Sequence, residues 1–75
     1  MNEGDEMNDE LIKKQVLLFL KSQQEVHVML KSGRFRNGLV QEISSDFFEM
    51  HDKVLGLVTI FYQQVQYIEQ YKRHI

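Results

Sequence analysis

The pattern of apolar and polar residues changes period along the chain, and each period predicts a different element. Between residues 10 and 21, Ile12, Val16, Phe19 and Leu20 recur at four, seven and eight residues, the spacing of one face of an α-helix. Asn8 or Asp9 suits the N-cap and Glu10 the positive end of the helix dipole, so a helix is predicted over residues 9–22. The unbroken apolar run 16–20 also allows a buried strand, because periodicity alone does not separate the two for a short run. The cap and the lysines Lys13, Lys14 and Lys21 favour the helix. Its apolar surface exceeds one face, which predicts contact on more than one side.

From Glu25 the period becomes two. Val26, Val28 and Leu30 alternate with His27, Met29 and Lys31, a half-buried strand, and Ser32-Gly33 marks a turn. A second strand is predicted from residue 34 to about 44, with Phe35, Leu39, Val40 and Ile43 as its apolar content and a bulge near Gly38, where the alternation slips. Ser44, Ser45 and Asp46 read as a turn, Phe47, Phe48 and Met50 as the start of a third strand, and Asp52-Lys53 as its tip. Residues 54–62 are rich in β-branched and aromatic side chains; Gln63-Gln64 interrupts them before Val65, Tyr67, Ile68 and Tyr71, and Lys72, Arg73 and His74 form a basic end.

One helix followed by about five short strands is too little sheet for a sandwich and predicts a mainly β fold, a strongly bent five-stranded small barrel of SH3-like size. With 75 residues and no cysteine, such a chain has a thin core, burying only about 60% of its unfolded surface, and no disulfide to support it. Edge strands of an incompletely closed barrel can pair with another copy, so a homo-oligomeric ring would relieve both problems.

Charge divides the chain. The first ten residues carry five carboxylates and no Lys or Arg, whereas the remainder carries nine bases against six acids, a balance of +3 within a net charge of -2. Residues 1–8 therefore read as a flexible acidic tail and 9–75 as a single domain, basic enough to permit phosphate contact. The acidic start is the opposite of a signal peptide's basic region and no stretch approaches a membrane span, which makes the cytoplasm the expected compartment. His27, His51 and His74 lie far apart, and no ligand spacing, nucleophile motif or phosphate-binding glycine loop occurs. No metal, cofactor, small-molecule substrate or enzymatic activity is expected.

The stretch VHVMLKSGRFRNGLVQEIS, residues 26–44, resembles the first Sm motif of the Sm/LSm/Hfq proteins: Val26, Val28 and Leu30 alternate, Gly33 makes the turn, Gly38 follows five residues on, and Val40 and Ile43 continue the pattern. The resemblance implies a short helix and a bent five-stranded barrel. It further implies rings of roughly five to seven subunits, closed by pairing the fourth strand with the neighbour's fifth, that bind single-stranded RNA around the pore. It is incomplete. Ser44 and Phe48 stand where eukaryotic and archaeal Sm proteins carry an Asp and an Asn that hold the base, the Arg-Gly of the second motif is missing, and Phe61, Tyr62 and Gln63 replace the Tyr-Lys-His of Hfq.

Two sets of candidate RNA-binding residues follow. Asp46, Phe47, Phe48, Phe61, Tyr62, Gln63 and Gln64 would meet at the pore, where aromatic rings stack on bases and amides or carboxylates read their edges. On the face away from the helix, Lys31, Arg34 and Arg36 form the most basic cluster, and the resemblance adds Met29, Phe35 and Asn37 as contacts for A-rich RNA. The function expected is that of a ring-forming scaffold or chaperone for U-rich or A-rich single-stranded RNA. The alternatives are an Sm-fold protein assembly module whose RNA site has decayed, with the acidic leader as a competitor for the basic surface, and an unrelated SH3-like barrel that forms no ring.

Overall fold

The computed structural model describes residues 7–72; residues 1–6 of the expected acidic tail, and Arg73 and His74 of the basic end, lie outside them. Helix α1 (Asp9–Ser22) is followed by β1 (Val26–Leu30), β2 (Phe35–Ile43), β3 (Phe47–Asp52), β4 (Gly56–Phe61), a 3-10 turn η1 (Tyr62–Gln64) and β5 (Val65–Gln70). The five strands form one antiparallel sheet in the order β4-β3-β2-β1-β5.

Local chemistry sets the ends of α1. The Asn8 side chain accepts the Leu11 N–H at 2.9 Å, and Gln23 closes the helix in the left-handed region at φ 57°, its N–H donating to the Phe19 carbonyl. Ile12, Val16 and Phe19 point into the core, whereas Leu11, Leu17 and Leu18 stay exposed. Met7 and Asn8, which composition joins to the acidic leader, are tied into the fold: Met7 packs on the core, and its N–H donates to the Gln66 carbonyl on β5 at 2.8 Å.

The core consists of the helix residues together with Val26, Val28, Val40, Phe48, Met50, Ile60, Tyr62, Val65 and Ile68. Burial of each aliphatic or Phe side chain contributes about 1.5–3 kcal/mol, so these inward faces hold the sheet against α1. The alternation of β1 holds at Val26 and Val28, which are buried, and ends at Leu30, which is half-buried like Met29.

The bulge lies elsewhere than the sequence places it. The β2–β3 register shifts between Val40 and Glu42, making Gln41 the extra residue, and a second irregularity interrupts β1–β5 between Met29 and Leu30. Gly38 has a different role. A Cβ there would collide with the backbone carbonyl of His51 on the paired strand β3, so only glycine fits where the two neighbouring backbones come this close.

Asp52, predicted at a tip, is instead the buried last residue of β3. Its Oδ1 accepts the Asn37 N–H at 3.0 Å, and its Oδ2 accepts those of Val54 and Leu55 at 2.9 and 2.8 Å, so a single carboxylate organises the β3–β4 turn and fastens it to β2. Burial pushes its pKa up, but those three N–H donors and the Arg36 charge outweigh it and hold the carboxyl below the ordinary value of 3.8.

Candidate nucleic-acid interface

The β3 start, the β4 end and η1 converge because the Tyr62 N–H donates to the Asp46 carbonyl at 3.1 Å, joining the β2–β3 turn to the turn after β4. Beside this link lies an open groove of about 290 Å³, lined by Asp46, Phe61, Tyr62 and Gln63 together with Asp9, Lys13 and Ser45. Phe61 is 48% exposed and braced edge-on by Phe47, its register partner, with ring centroids 5.5 Å apart. An exposed ring held in place by another ring is a ready platform for a base.

Three members of the predicted pore set belong to the framework. Phe48 is wholly buried, since adjacent strand residues face opposite ways and Phe47 takes the outward position. Tyr62 is only 3% exposed: its ring packs 5.6 Å from that of Phe48, and its hydroxyl donates to the Ser44 carbonyl at 3.0 Å. Burial raises its pKa, Lys13 Nζ lies 5.4 Å from its ring centre, and no stacking face is left for a base. Gln64 turns back to accept the Phe61 N–H at 3.1 Å and does not line the groove. Asp46, Phe61 and Gln63 are exposed and line the groove, with Phe47 as the brace, whereas Gln64 is exposed away from it.

The second predicted set is also divided. Phe35, Arg36 and Asn37 line a shallower groove of about 230 Å³ against Asp52 and the Lys53–Leu55 turn, where Val54 is 87% exposed. Arg36 donates to the Phe35 carbonyl at 2.8 Å. Met29 is half-buried opposite Phe35, while Lys31 and Arg34 sit in the β1–β2 turn outside this groove.

Sequence reasoning missed His27 here. Its Nδ1 lies 2.6 Å from Asn37 Oδ1, and its ring sits 5.5 Å from Phe35 and 6.2 Å from Tyr67, forming a row of three aromatic rings on the outward face of β2, β1 and β5. The period-two alternation already puts His27 outward. What it lacks is the register that sets His27 against Asn37 and Met29 against Tyr67.

A similar arrangement of elements occurs in a crystal structure of the pleiotropic translational regulator Hfq. The similarity covers 77% of this chain and 95% of that one, with a TM-score of 0.68 at 17% sequence identity. The fold is Sm-like. No family model matches the chain, and no curated protein matches it.

In the Sm-like order the sheet ends on β4 and β5, which are not paired with each other. The β4 side carries exposed Leu57 and Phe61, and the Met7 N–H already occupies one carbonyl of β5. Among the described residues no group of three His, Cys, Asp or Glu is arranged to hold a metal ion, and no helix is long and apolar enough to cross a membrane.

Proposed function

We propose that this chain is a ring-forming, non-enzymatic protein of the cytoplasm that binds single-stranded RNA as a scaffold or chaperone, with Met7 and Asn8 belonging to the one domain that the helix and strands form. The observation that carries the reading is the pairing of two unfinished sheet edges, β4 and β5, with an aromatic groove next to the β4 end. An exposed strand edge bearing Leu57 and Phe61 invites another strand, and joining β4 of one copy to β5 of the next buries both. Repetition of that contact around a ring would gather one Phe61 groove per subunit about a common axis, so that modest individual base contacts reinforce one another. Similarity to a translational regulator supports the same direction.

The test has two parts. Native mass spectrometry should give a mass several times 9.0 kDa. Fluorescence polarisation with short U-rich or A-rich RNA should show binding that weakens as salt rises, because phosphate contacts release counterions. A monomer without RNA affinity at low salt overturns the proposal.

The burial of Phe48 and Tyr62 favours a second reading, an Sm-fold assembly module without RNA. It predicts the same multiple mass and no polarisation change. Deleting residues 1–6, which leaves Met7, the Asn8 cap and α1 in place, separates these cases, since affinity that emerges only in the truncated chain identifies a site masked by the acidic leader.

A further inference from the structure

The groove beside η1 has a chemical character that its shape alone does not convey. Two of its lining side chains, Asp9 and Asp46, are carboxylates, and its one cation, Lys13, lies near the Tyr62 ring. Among the described residues, no hydrogen bond or ion pair engages the Asp46 carboxylate, which is exposed, and Gln63 alongside it is exposed too. Phosphate is repelled from such a groove. A neutral ring with hydrogen-bond donors on its edge is not, and Phe61 supplies the surface on which it would lie.

We infer that the groove formed by Asp46, Phe61 and Gln63 selects guanine over uracil, the base being taken in and the phosphates kept outside. The inference rests on the RNA-binding reading above and departs from the U-rich or A-rich preference that the family resemblance implies. An ionised carboxylate only accepts hydrogen bonds. Guanine presents two adjacent donors, N1–H and N2–H, which the two oxygens of Asp46 can accept together, while the Gln63 amide can donate to O6. Uracil presents a single N3–H between two carbonyl oxygens, and both carbonyls oppose a carboxylate. Adenine and cytosine each offer one amino group next to a ring-nitrogen acceptor, which gives one bond to Asp46 where guanine gives two.

The test uses the full chain and three fluorescein-labelled hexaribonucleotides, UUUUUU, UUGUUG and the same sequence with inosine for guanosine, at one fixed salt concentration. The guanine oligonucleotide should bind at least about fivefold more tightly than U6, with inosine in between because it lacks the N2 amino group. Asp46→Asn should bring the guanine oligonucleotide to within about twofold of U6 without weakening U6 itself, since the amide replaces one acceptor oxygen by a donor. Phe61→Leu should weaken all three together. Equal binding of guanine and uracil oligonucleotides, or a guanine preference that survives Asp46→Asn, overturns the inference and leaves RNA binding standing. Failure of every oligonucleotide to bind at low salt overturns RNA binding and the preference with it.

Discussion

Asp46 and Asp52 bracket β3, one immediately before its first residue and the other at its end, yet their carboxylates meet opposite fates. Asp52 is buried and accepts three backbone N–H groups, those of Asn37, Val54 and Leu55. Asp46 is exposed in the open groove, and only its backbone carbonyl takes part in the turn. One carboxylate is used up by the fold and the other is left over from it. Each end of the strand also carries an aromatic or glycine device that matches its role. At the Asp46 end the Phe47–Phe61 pair lies outside, against the buried Phe48–Tyr62 pair, and at the Asp52 end Gly38 lets the backbone of His51 close over it. The lesson is that residue type does not mark a site; a carboxylate consumed by backbone N–H groups serves the fold, whereas one left facing an open groove is available to a ligand.

The sharpest way to break this comparison is within the two Phe pairs. Phe48→Ala should cost about 3–5 kcal/mol, because it empties a position with no solvent exposure in the centre of the core. Phe47→Ala, one residue away and facing outward, should cost about 1 kcal/mol or less. Urea denaturation of both variants gives the ratio directly. Comparable losses would mean that Phe47 is buried in the working form of the protein, for example against a neighbouring copy.

Next in size is Gly38→Ala, expected to cost about 3 kcal/mol, since the new Cβ meets the backbone of His51 rather than a side chain that could swing away. The signature should be local as well as global: amide exchange should quicken at Asn37, Val54 and Leu55, whose N–H groups depend on Asp52 staying opposite Gly38. A Gly38→Ala chain with wild-type exchange at those three amides would contradict the close backbone approach at Gly38.

These two positions also mark how much could be read from the chain. The helix, the β1 alternation and the order of elements follow from local spacing, because cap chemistry and period belong to consecutive residues. Gly38 stands out where the alternation slips, but His51, whose backbone carbonyl excludes a Cβ there, is distant in sequence, and the bulge at Gln41 that fixes the register leaves no composition signal. Two consecutive phenylalanines in a strand guarantee that one faces inward without saying which. The buried place of Tyr62 is equally illegible locally, because the Ser44 carbonyl that satisfies its hydroxyl is 18 residues away in the chain. Asp52 was hidden for the same reason, since nothing local announces that the Asn37 N–H comes to meet it.

Asp52→Ala should cost about 2–3 kcal/mol, as three N–H groups lose a charged acceptor and the turn loses its anchor. Its pH dependence has a definite sign. The folded carboxyl is held below 3.8, so its contribution is complete above the unfolded value and is lost as pH falls through the folded one. Thermal melts of wild type and Asp52→Asn should therefore lie furthest apart near neutrality and converge in strong acid. Parallel acid limbs would show that another group governs acid unfolding.

The smallest expected effect is the one on which the contrast finally depends. Asp46→Asn should change stability by no more than about 0.5 kcal/mol, because its carboxylate carries no hydrogen bond or ion pair among the described residues and the backbone carbonyl that holds Tyr62 is untouched. Denaturation midpoints at neutral pH measure this, with Asp52→Asn beside it as the matched control. A near-neutral Asp46→Asn next to a destabilised Asp52→Asn would establish that the carboxylate before β3 has been left free of the fold, so any change in RNA selectivity on the same substitution reports recognition alone. If instead Asp46→Asn destabilised as much as Asp52→Asn, the carboxylate would have a structural partner in the assembled protein, and the groove would belong to an interface between copies rather than to a ligand.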